Sequence, residues 1–144
     1  MYYHFKVHKS SKPYWAECIE LKGCSTQADS LDDLNKNMRE VLNLYLDEPN
    51  ESAVLFPLPE ENINQKNIVK ILVDPKIAFA MLLRQVRLKN QLTQSEAAKK
   101  IGFKTIYSYQ RLESSKSANP ELNTIAKIKR LFPDFSLDYI LQGV

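Results

Sequence analysis

Thr93-Gln94-Ser95-Glu96-Ala97-Ala98-Lys99-Lys100-Ile101-Gly102-Phe103-Lys104-Thr105-Ile106-Tyr107-Ser108-Tyr109-Gln110-Arg111-Leu112-Glu113 is the stretch that decides the architecture. Thr93 and Glu96 stand three apart, the spacing at which a threonine hydroxyl caps a helix while the glutamate reaches back to the capping residue. Gly102 is placed to close that helix, because a glycine tolerates the left-handed backbone of a C-terminal cap. Ala97, Ala98 and Ile101 supply its buried contacts, and the two small alanines let another helix approach closely. After the turn Gly102-Phe103-Lys104, the spacing predicts a second helix over residues 105–113 that buries Ile106, Tyr109 and Leu112. Lys104, Tyr107, Ser108, Gln110 and Arg111 then face solvent. Two short helices joined by a tight turn, the second presenting Lys, Gln and Arg, is a geometry that places a helix in a DNA major groove. Gln and Arg can bind adenine and guanine edges through two hydrogen bonds, whereas Lys, Ser and a helix N-terminus hold phosphates. A small helical bundle whose polar face only meets water fits the same pattern.

Working outward, Asp74-Pro75 is a helix opening, with Asp as N-cap and Pro in the first turn. The helix it opens, over residues 75–90, has Ile77, Ala80, Met81 and Leu88 on its inner side, with Arg84, Arg87 and Lys89 as its charges. Downstream, Asn119-Pro120 begins a helix with Leu122, Ile125, Ile128 and Leu131 inside, and Ser136 caps a last one over residues 137–142. Upstream the periodicity changes to two. Tyr3, Phe5 and Val7 fall on one side of a strand and Tyr2, His4, Lys6 and His8 on the other. Ser10-Ser11-Lys12-Pro13 reads as a turn, and residues 14–21 alternate again to complete a hairpin. A short third strand is expected at Cys24-Ser25-Thr26. Ser30, with Asp33 three residues on, resembles a capping box, and Leu31, Leu34, Met38, Val41, Leu42 and Tyr45 paint one face of the helix that follows, which Pro49 stops. Residues 49–67, with Pro49, Pro57 and Pro59, read as a connector in which Val54-Leu55-Phe56 packs on the domain. The β-branched run at residues 68–73 reads as a strand.

These elements predict an α+β chain: an N-terminal βββαβ domain over residues 1–73, with the linker-like stretch 49–67 inside it, and an all-α helix-turn-helix domain of four to five helices over residues 74–144. The composition agrees with a folded protein. Among 144 residues, 44% are apolar, 26% are charged and only three are Gly, which argues against a disordered or fibrous chain. The longest charge-free run, residues 52–59, is far shorter than the ~18–20 residues that span a bilayer, so no membrane partner is expected. The N-terminus does not read as a signal peptide. Two cysteines, Cys18 and Cys24, are too few for a disulfide scaffold, so a reducing cytoplasm is expected. The net charge of +3 conceals an asymmetry: residues 1–75 hold 8 Lys/Arg against 12 Asp/Glu and residues 76–144 hold 12 against 5. An acidic half thus precedes a basic one, and clustered Lys and Arg are what neutralise phosphates.

Two resemblances follow from the wording. The run Arg87-Leu88-Lys89-Asn90-Gln91-Leu92-Thr93-Gln94-Ser95-Glu96-Ala97-Ala98, continuing through Ile101-Gly102 to Arg111-Leu112-Glu113 and then Pro120, Leu122 and Ile125, resembles the Cro/repressor-like helix-turn-helix family. Its spacing from Gly102 to Glu113 is one residue longer than the family's. The resemblance implies that Gln94 holds a backbone phosphate and that Lys104, Thr105, Tyr107, Ser108, Gln110, Arg111 and Lys116 are the base and phosphate contacts. It also implies a homodimer or higher homo-oligomer that reads two half-sites of operator DNA about one helical turn apart. The first fifty residues resemble the N-terminal domain of HicB antitoxins, through Tyr14-Trp15-Ala16-Glu17, Leu21-Lys22-Gly23-Cys24-Ser25-Thr26-Gln27, Asp29-Ser30, Asn37, Glu40, Leu42 and Leu44-Tyr45-Leu46. That resemblance implies a reduced ribonuclease H-like fold that neutralises a small basic, mRNA-cleaving HicA-like toxin, in a protein that represses its own operon. Trp15, Glu17, Glu20, Asp29 and Asp32 are the expected toxin contacts.

A nuclease-related fold raises the question of catalysis. Two-metal hydrolysis needs several carboxylates converging from different elements, and the first strand has none. Asp29, Asp32 and Asp33 suit a helix N-terminus, where they favour the dipole. His4 and His8 lie roughly 13 Å apart at ~3.3 Å per residue, too far for one metal ion. No catalytic residue, metal site or cofactor is therefore expected. The expected function is antitoxin and autorepressor. The alternative is a free-standing helix-turn-helix regulator whose N-terminal domain senses a ligand, and the missing carboxylates disfavour an active nuclease.

Overall fold

The computed structural model describes residues 1–143, which form two compact units. The N-terminal unit consists of Met1–Leu46 and Phe56–Asp74. Its strands β1 (Tyr2–His8), β2 (Tyr14–Cys18) and β3 (Ser25–Ala28) form an antiparallel meander, followed by helix α1 (Leu31–Leu46) and strand β4 (Ile68–Leu72). β4 pairs antiparallel with the free edge of β1, which gives the sheet order β3-β2-β1-β4. The third strand begins one residue later than the sequence pattern predicts and runs to Ala28.

The period-two pattern is realised in register. Val7 lies opposite Ala16, Phe5 opposite both Cys18 and Val69, and Tyr3 opposite Ile71. Directly opposed residues share a face, so these side chains make one apolar surface, on which Tyr3, Phe5 and Ala16 are wholly buried. Against it α1 presents Leu34, Met38, Leu42 and Leu46, four residues apart and hence stacked on one side of the helix. Ser30 Oγ accepts the Asp33 N–H at 3.1 Å and so caps α1. Each fully buried Leu or Phe contributes ~1.5–3 kcal/mol through removal of apolar surface from water.

Residues 56–60 are held to this unit by three contacts. Phe56 packs on Tyr45 with ring centroids 5.6 Å apart, Tyr3 donates to the Pro57 carbonyl at 2.7 Å, and the Glu60 N–H donates to Glu20 Oε2 at 3.2 Å. Of the expected apolar triplet only Phe56 is buried; Val54 and Leu55 are each 48% exposed.

The second unit consists of Asp47–Leu55 and Pro75–Gln142. Its helices are α2 (Pro75–Lys89), α3 (Gln94–Ile101), α4 (Ile106–Gln110), α5 (Leu122–Leu131) and α6 (Leu137–Leu141). Phe79 and Phe135 meet edge to face at 5.5 Å, and Ser136 Oγ caps α6 through the Tyr139 N–H. Two sequence expectations are corrected here. Ile106 and Leu122, expected inside, are 37% and 83% exposed. Each is the first residue of its helix, ahead of the turn where Tyr109 or Ile128 reaches the core. Residues 47–55, assigned by the sequence to the N-terminal domain and its linker, instead group with the second unit, because Asp47, Glu48 and Asn50 all bond to it.

Leu42→Ala is expected to lower stability by ~2–5 kcal/mol through loss of a core side chain and the cavity it leaves. Leu44→Ala, on the exposed side of the same helix, should stay within ~0.5 kcal/mol. Urea unfolding of both variants checks this.

Candidate nucleic-acid interface

The turn between α3 and α4 is built from local chemistry. Thr93 Oγ1 accepts the Glu96 N–H at 3.1 Å, and Glu96 Oε1 accepts the Thr93 N–H at 3.2 Å. The capping box is thus complete. These bonds hold the Glu96 carboxyl below its ordinary range, the backbone N–H of Thr93 first among the causes. At the other end Gly102 adopts φ +99°, and its N–H donates to the carbonyls of Ala98 and Lys99. The Phe103 N–H returns to Ala98 as well, at 2.9 Å. A side chain at position 102 would be strained in that left-handed conformation. The chain can therefore leave α3 and start α4 four residues later, with Ala97, Ala98 and Ile101 buried beneath.

α4 buries Tyr109, with Leu112 just beyond it, and turns Thr105, Tyr107, Ser108 and Arg111 outward along with Lys104. Tyr107 is 73% exposed. Thr105 and Ser108 share a hydroxyl contact at 3.3 Å, and Lys116 stands exposed in the loop that follows. Two of the predicted DNA contacts are engaged inside the unit. Gln94 Nε2 donates to Glu113 Oε1 at 3.2 Å and to the Asn50 carbonyl at 3.3 Å, while Gln94 Oε1 accepts from Gln110 Nε2 at 3.1 Å. Both glutamines are half-buried, and the chain of amides runs from the start of α3 to the end of α4.

Beneath this surface lies a buried ionic cluster whose members the sequence reading does not bring together. Glu113 is completely buried, and Arg84 and Arg87 are 2% and 5% exposed. Arg87 grips the Glu113 carboxylate with two bonds, Nε to Oε2 at 2.6 Å and Nη2 to Oε1 at 3.0 Å, and its Nη1 donates to the Leu92 carbonyl at 2.9 Å. Arg84 Nη2 donates to the carbonyls of Glu113 and Glu48 at 3.2 and 3.1 Å. Burial lowers the Arg84 pKa, opposed by the charge of Glu113. For Arg87 burial is again the largest influence, but the hydrogen bonds and charge of Glu113 together outweigh it and the pKa rises. A signal for this was present: positions 80, 84 and 87 follow helical spacing, so both arginines fall on the apolar stripe of α2.

In the N-terminal unit, Trp15 and Glu17 project from the sheet face away from α1. Asp29 and Asp32 are exposed at the head of α1. Glu20, expected as an exposed contact, has a side chain only 1% exposed. Its carboxylate accepts from the backbone N–H and Nδ1 of His4, at 3.0 and 2.7 Å, in addition to the Glu60 N–H. It is thus consumed in holding residues 56–60. No group of three or more His, Cys, Asp or Glu that could hold a metal ion occurs among the described residues, and no described helix is long and apolar enough to cross a membrane.

Residues 83–140 match the family model described as helix-turn-helix. This part of the chain is a Cro/repressor-type helix-turn-helix domain. Such a domain is that of a sequence-specific, DNA-binding transcriptional regulator. α3 and α4 are its paired helices, and α4 is the one whose exposed side chains suit base edges. No curated protein matches the chain.

Glu113→Ala is expected to cost ~3–5 kcal/mol, because it leaves two buried guanidinium groups uncompensated; thermal unfolding measures it. A second expectation concerns alkaline pH. Burial, reinforced by the charge of Glu113, pushes the Tyr109 phenol above its ordinary value of 10.0. The folded chain keeps this group neutral where the unfolded chain ionises, so stability falls as pH rises beyond about 10. Tyr109→Phe should flatten that alkaline limb in a series of Tm against pH.

Proposed function

We propose that the chain is the antitoxin of a HicA/HicB-type pair, a non-enzymatic protein that binds and neutralises a small basic, mRNA-cleaving toxin and represses its own operon. The observation that carries this reading is the union in one chain of a DNA-binding helix-turn-helix domain and a βββαβ unit bearing the residues of the HicB resemblance. The ribonuclease H-like ancestry of that unit is part of the proposal. Two features of the N-terminal unit support a protein partner. A groove of about 320 Å³ is lined by Val7, Leu31, Leu34, Met38, Ile68 and Val69, with Lys9, Asn35 and Asn67 completing its wall. Apolar pockets of this kind receive the anchoring side chains of a partner. Asp32 follows Leu31 at the rim and Asp29 stands just before it, so exposed carboxylates are in place to steer a basic protein. On the DNA side, Lys104, Thr105, Tyr107, Ser108, Arg111 and Lys116 make the contacts, and Gln94 and Gln110 set the position of α4. Two copies of the chain read the two half-sites of the operator.

Co-expression with the small basic protein encoded by the adjacent reading frame tests this. The pair should co-purify and growth arrest should be relieved. Asp29→Lys combined with Asp32→Lys should slow association at low salt. Arg111→Ala should abolish operator binding, yet leave neutralisation intact. Loss of both functions in a folded Arg111→Ala variant would overturn the two-module reading.

A further inference from the structure

The sheet of the N-terminal unit has a second face. Across β1, β2 and β4 the register sets His8 opposite Trp15, Lys6 opposite Glu17, and His4 opposite Lys70. These side chains point away from the face that α1 covers. His4 is taken up by Glu20, but the upper part of the face is open: Lys70 is exposed, Lys6 and His8 are half-buried, and Trp15 is 41% exposed. The Trp15 indole and His8 imidazole are stacked nearly parallel, with centroids 3.7 Å apart and planes inclined by 9°. His8 Nε2 has no hydrogen-bond partner and lies 3.8 Å from Glu17 Oε1. Lys9 and Lys12 are exposed in the turn at the end of this stack.

The exposed carboxylates Asp29, Asp32, Asp33 and Glu40 belong to α1 and the loop before it, on the opposite layer, and Glu60 and Glu61 are exposed in the segment that reaches Glu20. Among the strand residues of the open face only Glu17 is acidic. An aromatic stack on an open sheet face, with lysines along the same face and in the adjoining turn, has a definite chemical complement. Unpaired bases stack on aromatic rings whatever their identity, and lysines beside them meet the phosphates. A duplex has no unstacked base to offer such a plane.

We infer that this open face, centred on the Trp15–His8 stack, with Lys6 next along the same face of β1 and Lys70 further along on β4, binds single-stranded nucleic acid. The site is separate from α4, so the chain has two nucleic-acid surfaces of different kinds, one for duplex and one for single strands.

Trp15 is the only tryptophan in the chain, so its fluorescence reports directly on stacking. Full-length protein is titrated with fluorescein-labelled 12-nucleotide oligouridine RNA and oligothymidine DNA, following tryptophan quenching and label anisotropy. Saturable quenching by either strand, weakened by added salt, is the expected result, and tighter binding of the RNA would add a 2′-hydroxyl contact. Trp15→Ala, followed by anisotropy alone, should weaken binding roughly ten-fold, as loss of one stacked base does. Lys6→Glu with Lys70→Glu, which keeps the reporter, should weaken it at least as much. Arg111→Ala should leave it unchanged while duplex operator binding is lost. Absence of quenching with both strands overturns the proposal. So does affinity that is unmoved by the Lys6→Glu, Lys70→Glu pair, or that disappears with Arg111→Ala.

Discussion

A carboxylate with no access to water cannot remain charged unless its neighbours replace the solvent, and Glu113 is in that position just beyond the second helix of the helix-turn-helix. Arg87 satisfies both of its oxygens, and Gln94 adds a third bond. Most of the second unit is arranged around this demand. α2 must bring Arg84 and Arg87 to the carboxylate, α3 must start where Gln94 can reach it, and α4 must end at a fixed distance so that residue 113 arrives between them. A buried ion pair is weak evidence for net stability, since an apolar replacement can be as stable. Its directional bonds nevertheless fix which turn of one helix faces which turn of another, as apolar contacts alone would not.

The same cluster explains why residues 47–55 belong with the helices. Arg84 carries more donors than Glu113 can satisfy, and the Glu48 carbonyl takes one of them. Gln94 likewise uses the Asn50 carbonyl, and Asp47 accepts from Ser115. A segment outside helix and sheet offers unpaired carbonyls, which is what a buried guanidinium lacks among helices whose carbonyls are already engaged. The N-terminal unit has a smaller counterpart in Glu20, which gathers His4 and the backbone of Glu60 and thereby ties residues 56–60 to the sheet. In both units a buried glutamate organises a segment that has no secondary structure of its own.

Much of the architecture was legible in one dimension. The alternation of Tyr3, Phe5 and Val7, the i, i+4 stripe of Leu34, Met38 and Leu42, the Thr93–Glu96 box and Gly102 are local patterns, and local patterns survive because neighbouring residues alone determine them. The exposed part of the candidate site was legible for the same reason: Lys104, Tyr107, Ser108 and Arg111 lie in and around the short helix α4, turned away from Tyr109 and Leu112. Where the reading failed, the deciding partner was distant in sequence. Arg84 and Arg87 look like solvent charges until Glu113 is brought to them, and Glu20 looks like an accessible acid until His4 and Glu60 surround it. Gln94 and Gln110 look like independent contacts until the approach of α3 to α4 joins their amides.

By itself, then, the sequence determined the element types and their order, the caps that begin and end α3, and the division of charge between an acidic and a basic half. These rest on hydrogen bonds and periodicities that span a few residues. Tertiary structure alone decided which charged side chains are buried, which segment completes each unit, and which face of the sheet stays open with Trp15 and His8 stacked upon it. Those outcomes depend on desolvation and on cross-strand or cross-helix distance, and neither quantity exists until the chain has folded.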